Sequence, residues 1–227
     1  MRKHPLYQPN SPDSDRPRAP GPRGSVPLAF ILIAVNVLVF LLSMSAQMMF
    51  AWFALWPLGS TEQIMVGNSS MAVPPFAPWQ LISYGFMHGS VTHIFFNMFA
   101  LFLFGLPLEA GWGRWRFGVY YFTCLIGAGL VQLVVASSSA EVYPTVGASG
   151  AVFGLLLAYG LRFPNSVIVL LIPPIPIKAK YFVVLYGAAE LLFGVTGMMP
   201  GVAHFAHLGG MLFGLLLLLK WGWRPGR

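Results

Sequence analysis

The stretch VPLAFILIAVNVLVFLLSM at residues 26–44 decides the class of fold, because it contains no charged residue. An α-helix needs about 20 predominantly apolar residues to cross the hydrocarbon core of a bilayer. Five further apolar stretches follow, at 81–106, 117–135, 149–161, 177–195 and 202–219. The sequence therefore predicts an all-α membrane protein, a bundle of six transmembrane helices.

The composition excludes several other classes of protein. Of the 227 residues, 57% are hydrophobic and 8% are charged, which is far from the composition of a soluble domain. The single cysteine, Cys124, is too few for a disulfide framework or a thiolate metal site. The net charge of +7 does not indicate a nucleic-acid partner, because the basic residues follow membrane topology and are not clustered on one surface.

All 13 basic residues fall on one side of a six-span arrangement, and the opposite loops carry only Glu62 and Glu141. Cytoplasmic loops are enriched in Lys and Arg, so both termini are expected in the cytoplasm of a multi-pass protein of the cell (inner or plasma) membrane. We predict a disordered, basic and proline-rich tail at 1–24, a six-helix domain at 25–221 and a short cytoplasmic tail at 222–227. The long tail before residue 26 disfavours the alternative of a signal peptide.

Polar side chains inside apolar segments are costly, so each is a candidate functional group. Ser149 begins the fourth segment within Gly147-Ala148-Ser149-Gly150, and His207 lies near the start of the sixth. Both segments enter from the outer side, so these residues are expected at similar depth. A serine hydroxyl needs a base to become a nucleophile, and a neutral imidazole is the usual partner. The alternative for Ser149 is a small residue that eases helix packing.

Negative charge that develops near Ser149 has several predicted donors. A helix that starts at Ser149, with Gly147 and Gly150 beside it, is expected to present free backbone N–H groups. His93 and Asn97 are four residues apart, so they share a helix face and could donate to the same oxyanion. Their alternative role is an interhelical hydrogen bond.

The sequence predicts a Ser–His dyad without a third member. The only aspartates, Asp13 and Asp15, lie in the tail, and Glu190 belongs to a segment that runs in the opposite direction, where it is expected to be hydrogen-bonded or protonated and not catalytic. An intramembrane aspartyl protease would need two aspartates within spans, and a zincin would need an H-E-x-x-H sequence. No metal ion is expected, and His204 is interpreted as a residue of the outer rim or of an interface, not as a second base.

Three motifs together resemble the rhomboid family: His88-Gly-Ser-Val-Thr-His93-Ile-Phe-Phe-Asn97, Gly147-Ala-Ser149-Gly150-Ala-Val-Phe-Gly154 and Ala206-His207-Leu-Gly209-Gly210. The resemblance implies an intramembrane serine endopeptidase without a cofactor, whose dyad is matched by Ser149 and His207. It also implies an oxyanion site matched by His93, Asn97 and the Ser149 amide, with His88 at a further polar position. A water-filled cavity, covered by the first outer loop and gated near the fifth segment, is implied as well.

The expected substrates are transmembrane segments of other membrane proteins, cut within the lipid bilayer near its outer face. An alternative is a rhomboid-like pseudoprotease that binds membrane clients without cleaving them, although such proteins usually lack the serine or the histidine. A small transporter or channel is a third class, but its polar groups would extend through both halves of the membrane. The Gly210–Gly214 spacing fits either homodimerisation or packing within the bundle, so the sequence leaves the oligomeric state open.

Overall fold

The computed structural model describes residues 25–59, 63–66, 69–137, 143–170, 173–199 and 201–222. The predicted tail at 1–24, the residues 223–227, and the loop residues Glu62 and Glu141 lie outside the described residues. Within the described ranges the chain is predominantly α-helical, with two short antiparallel hairpins. The helical class predicted from the apolar segments is confirmed.

Nine α-helices occur in the described part of the chain: α1 (Leu28–Ser45), α2 (Gln47–Phe53), α3 (Gln80–Ser83), α4 (Val91–Ala100), α5 (Leu106–Trp112), α6 (Arg114–Ala136), α7 (Ser149–Arg162), α8 (Ala179–Thr196) and α9 (His204–Lys220). A 3₁₀ turn at Tyr84–Phe86 follows α3, and a π turn at Leu101–Gly105 joins α4 to α5. The hairpins pair β1 (Gln63–Val66) with β2 (Ser69–Ala72), and β3 (Val167–Val169) with β4 (Pro176–Lys178).

Four helical stretches are long and apolar enough to cross a membrane, namely α1, the continuous run Val91–Trp112, α6 and α8. The apolar helices α7 and α9 are shorter, with 14 and 17 residues. Each of the six apolar segments predicted from the sequence therefore overlaps one of these helices.

The prediction that the second span begins near residue 81 is wrong. The long helix begins at Val91, because the hydroxyl of Ser90 accepts the backbone N–H of His93 at 3.1 Å and so caps a new helix. This helix continues through the π turn and past Pro107 to Trp112. Pro107 follows the π turn directly, where the regular i→i−4 hydrogen-bond ladder is already interrupted, so the N–H that it lacks is compatible with this course.

The centre of the bundle is formed by α6, α7 and α9, which pack against one another. A Cβ atom added to Gly210 of α9 would overlap the carbonyl oxygen of Gly150 in α7. One turn further along α9, a Cβ atom at Gly214 would overlap the hydroxyl of Tyr120 and press on Cys124 of α6. The glycine spacing in α9 thus serves packing within the bundle, and it brings the first turns of α7 and α9 together.

The described basic residues lie at one end of the bundle. Arg116 lies over the ring of Trp221 at 5.9 Å, which places the start of α6 beside the end of α9. The rings of Phe104 and Tyr159 are 5.2 Å apart, which places the last turns of α7 beside the π turn that leads into α5. The helix ends gathered here, with the short β3–β4 connection into α8, carry Arg114, Arg116, Arg162, Lys178, Lys180 and Lys220.

Glu109 of α5 holds the start of α1. Its two carboxylate oxygens accept the backbone N–H groups of Leu28 at 2.7 Å and Ala29 at 2.9 Å. Because α1 has no side-chain cap of its own, Glu109→Ala leaves these donors unpaired and is expected to lower the free energy of unfolding by about 2 kcal/mol. Unfolding in mixed micelles measures this change. Glu109→Gln keeps one acceptor oxygen and is expected to lose less; equal stability of wild type and Glu109→Ala would contradict the capping role.

Candidate active site

Ser149 and His207 lie within hydrogen-bonding distance at the end of the bundle opposite the basic residues. The Oγ atom of Ser149 is 2.8 Å from Nε2 of His207. Ser149 is the first residue of α7, and His207 lies in the first turn of α9. The close packing of these two helices therefore joins a hydroxyl to an imidazole in a geometry that permits proton transfer between them.

Backbone contacts fix the segment that leads into Ser149. Thr145 and Leu55 exchange two backbone hydrogen bonds of 2.9 and 3.0 Å, which ties this segment to the first loop. Gly147 has a φ of +115°, and a Cβ atom there would lie 2.6 Å from Nε2 of His93, so only glycine fits. The turn starts α7 at Ser149, whose backbone N–H has no acceptor within the described residues.

The expectation that Gly147 supplies a free N–H group to the site is wrong. Its N–H donates to the carbonyl oxygen of Tyr84 at 2.9 Å. Tyr84 is itself fixed, since its hydroxyl donates to the carbonyl of Leu125 at 2.7 Å. Gly147 therefore shapes the site through its backbone conformation and through the space that it leaves for His93.

The predicted polar group of the second span is assembled around His93, in the first turn of α4. The ring centroids of His88 and His93 are 5.0 Å apart in an edge-on arrangement, and His88 is buried. Asn97 is also buried, and its Nδ2 donates to the carbonyl of His93 at 3.0 Å, which leaves its second N–H hydrogen for another acceptor. The structure thus groups His88, His93 and Gly147, with Asn97 one turn deeper.

The imidazole of His207 packs on an aromatic ring. Phe153 stacks on it with ring centroids 4.2 Å apart and an interplanar angle of 5°. Phe153 in turn stacks on Tyr186 of α8, at 5.0 Å and 29°. The stack therefore restricts the orientation of the imidazole ring of His207.

The prediction that no carboxylate reaches His207 is wrong. The Oε2 atom of Glu190 lies 2.9 Å from Nδ1 of His207, on the opposite side of the ring from Ser149. Glu190 sits near the end of α8, and His207 near the start of α9. Because one short connection joins these two ends, antiparallel helices place the residues at the same level. The sequence feature that could have indicated this contact is a lone glutamate in an apolar span.

His204 belongs to the same buried group and lies at the contact between α8 and α9. Its Nδ1 lies 2.7 Å from the same Oε2 atom of Glu190, and its Nε2 lies 3.2 Å from the carbonyl oxygen of Met198. Glu190, His204 and His207 offer ligand atoms within 4.8 Å of one another, and two imidazoles with a carboxylate would suit zinc. The separations of 2.7 and 2.9 Å are hydrogen-bond lengths, so we interpret the group as a hydrogen-bonded network.

Comparison with known families assigns the fold. The family model described as a Rhomboid domain matches residues 75–224. The chain belongs to the rhomboid family. The matched range contains every site residue predicted from the sequence, and also Glu190 and His204 of this rhomboid.

Several curated rhomboids are similar to this chain. RHOMBOID-like protein 4 of Arabidopsis thaliana is 34% identical over 74% of this chain and 42% of its own length. Rhomboid protease AarA of Providencia stuartii is 28% identical over 95% of this chain and 80% of its own length. Rhomboid protein 1, mitochondrial, of Saccharomyces cerevisiae is 32% identical over 63% of this chain and 40% of its own length. The chain spans less than half the length of the first Arabidopsis relatives that it matches.

Family membership and the apolar helices together make this rhomboid a multi-pass membrane protein. In its bundle the close Ser149–His207 pair, the His88–His93 pair at the start of α4 and the glutamate of α8 meet at one end.

Proposed function

We propose that this rhomboid is an intramembrane serine endopeptidase that cleaves transmembrane segments of other membrane proteins. The observation that carries the proposal is the 2.8 Å contact between Ser149 Oγ and His207 Nε2 in a bundle of apolar helices. A relative that is named a rhomboid protease matches most of the chain and adds support. A pseudoprotease that only binds membrane clients would not need a serine hydroxyl within hydrogen-bonding distance of an imidazole.

The chemistry follows from the geometry of the two side chains. Nε2 of His207 accepts the proton of Ser149 while Oγ attacks the carbonyl carbon of the substrate, and the imidazolium then gives that proton to the leaving amine. A water molecule, activated by the same imidazole, hydrolyses the acyl-enzyme. Phe153 keeps the ring in place through both steps, because the two rings stack at 4.2 Å.

The tetrahedral intermediate places a negative charge on the former carbonyl oxygen. The backbone N–H of Ser149 at the start of α7 is a donor already aimed away from the helix body, and the helix dipole favours a negative charge there. His93 and Asn97 are the proposed side-chain donors, and His88 orients His93 through the edge-on ring contact. Gly147 acts here by leaving room for His93.

The proposed orientation puts the site in the outer half of the membrane. Basic residues gather at the helix ends opposite Ser149 and His207, and Lys and Arg mark cytoplasmic ends. Six spans with both termini in the cytoplasm of a cell membrane account for this arrangement. Cleavage then occurs near the outer face.

Substrate choice is expected to depend on how easily the substrate helix unwinds. A hydrogen-bonded helix hides its peptide bonds from Ser149, so segments with Gly, Ser or Pro near the cut should be cleaved faster. Replacing Gly or Ser in such a stretch by Leu raises local helix stability by up to about 1 kcal/mol per residue, and replacing Pro raises it by about 3 kcal/mol, so either change is expected to slow cleavage by at least about tenfold. Measuring initial rates on a matched substrate series checks this, and equal rates would contradict it.

The test of the proposed function uses the purified full chain in liposomes with a single-span model substrate. We expect two defined products, together with covalent labelling by a fluorophosphonate probe at Ser149, located by mass spectrometry of the modified peptide. A protein that binds a varied substrate panel but neither cleaves it nor reacts with the probe would overturn the proposal in favour of client binding.

A further inference from the structure

We propose that Glu190 is a positioning residue that completes a Ser149–His207–Glu190 triad, held in its charged form by His204. This inference rests on the proposed function, since it assigns a role to groups that contact the general base. Its starting point is one carboxylate oxygen, Oε2 of Glu190, which lies 2.9 Å from Nδ1 of His207 and 2.7 Å from Nδ1 of His204. All three side chains are buried.

The hydrogen-bond roles determine the tautomer of His207. A carboxylate oxygen can only accept, and it has lone pairs for two donors, so Nδ1 of His207 carries a hydrogen. Nε2 of the neutral ring then carries the lone pair, and it is this atom that lies 2.8 Å from Ser149 Oγ. The carboxylate therefore selects the one neutral tautomer in which His207 can take the proton of Ser149.

His204 supplies the charge that makes a buried carboxylate tolerable. Its two ring nitrogens both face acceptors, the Glu190 carboxylate and the carbonyl oxygen of Met198, and a ring that donates from both nitrogens is an imidazolium. A lone carboxylate in an apolar span is expensive to bury, and a cationic partner with satisfied hydrogen bonds offsets part of that cost.

The hydrogen-bond partners of Glu190 differ from those of a glutamate with a structural role. Among the described residues only Glu109 and Glu190 are acidic, and both are buried. Glu109 accepts two backbone N–H groups at the start of α1, where it has a structural task. Glu190 makes its two hydrogen bonds to imidazoles, one of which is the proposed general base. The two glutamates therefore form a matched pair for experiment.

Removal of the carboxylate is expected to slow the chemical step. Glu190→Gln offers Nδ1 of His207 an amide N–H as readily as an oxygen, so the ring spends much of its time in the tautomer that cannot accept the proton of Ser149. We expect kcat to fall by between about 10² and 10⁴-fold with KM nearly unchanged, below the full loss of a charged triad acid because His204 already offsets part of the charge. Glu190→Asp is expected to recover part of the rate.

The experiment measures the rate at which a fluorophosphonate labels Ser149 in the reconstituted full chain. In that reaction the Oγ–P bond forms, the P–F bond breaks with loss of fluoride, and the proton of Ser149 passes to Nε2 of His207. The variants are Glu190→Gln and Glu190→Asp, with Glu109→Gln as the matched control. We expect slow labelling in Glu190→Gln, partial recovery in Glu190→Asp, and a rate near that of wild type in Glu109→Gln.

A second measurement does not require a variant at position 190 to fold. The chain has five histidines, so nitrogen-15 spectra of histidine-labelled wild type resolve the protonation of each ring, with His207 assigned by its loss in His207→Asn. We expect the Nδ1–H tautomer at His207 and a doubly protonated ring at His204. An Nε2–H tautomer at His207 in the wild type would overturn the proposal.

The outcomes separate this inference from the proposed function. Labelling at wild-type rate in Glu190→Gln, with no labelling in Ser149→Ala, would overturn the role of Glu190 and leave the protease intact. Absence of labelling and cleavage in the wild type would instead overturn the protease proposal, and with it any need for a positioned base.

Discussion

Ser149→Ala is expected to reduce cleavage of a single-span substrate by about 10⁴-fold or more, to below detection, because no other group is placed to attack the peptide bond. Among the described residues, Ser149 is the only serine whose hydroxyl contacts a potential base, at 2.8 Å from Nε2 of His207. Alanine keeps the small volume at the start of α7, so the packing of the bundle should be unchanged. Initial rates in liposomes, with circular dichroism of each variant, measure the effect.

The control variants make this result specific. Ser166→Ala removes a hydroxyl in the connection at the basic end of the bundle and should retain wild-type rates. His207→Ala should lose as much activity as Ser149→Ala, and the double variant should be no worse than either, because the two residues act as one unit. Residual cleavage within tenfold of wild type in Ser149→Ala would show that another residue is the nucleophile.

The second large effect is expected at the closest approach of two helices. Gly210→Ala places a Cβ atom on the carbonyl oxygen of Gly150, and backbone cannot move aside as a flexible side chain would. Overpacking of this kind typically costs 1 to 3 kcal/mol, and we expect a loss of about 3 kcal/mol in the free energy of unfolding together with loss of activity. Any shift of α9 away from α7 also separates His207 from Ser149.

A matched glycine provides the comparison. Gly111 lies in α5, and a Cβ atom there would meet nothing within 4 Å. Gly111→Ala is therefore expected to be neutral, or stabilising by up to about 1 kcal/mol through helix propensity. Mixed-micelle unfolding of both variants gives the comparison directly. If Gly210→Ala were as stable as Gly111→Ala, the close contact between α7 and α9 would be contradicted.

Much of the fold was accessible from the sequence, because apolar length is a strong signal in a membrane protein. The six apolar segments each overlap a helix, and the pairing of Ser149 with His207 followed from their places at the starts of two segments that enter from the same side. The start of the second span was placed too early, since a hydrophobic run does not reveal that Ser90 caps a new helix.

Other parts of the site depend on contacts that a linear pattern cannot give. The N–H of Gly147 bonds to the carbonyl of Tyr84, which is distant in sequence, so spacing alone suggested a free donor. Glu190 was set aside because its helix runs the other way. In antiparallel neighbours, the depth of a residue depends on its distance from the connection that joins the two helices. Glu190 and His207 both lie near the connection between α8 and α9.

The anchoring of α8 has a consequence for the timing of the reaction. Its buried residues are Ala179 and Val183 near its start, and then Glu190 alone in its second half. The hydrogen bond between Glu190 and His207, which aligns the proposed base, therefore also attaches the second half of α8 to α9. An outward movement of that half would separate the Glu190 carboxylate from both imidazoles. A conformation with α8 displaced would therefore have a misaligned base. Entry of a substrate by displacement of this half of α8 would therefore break the contact that aligns His207, and the helix would have to return before Ser149 attacks.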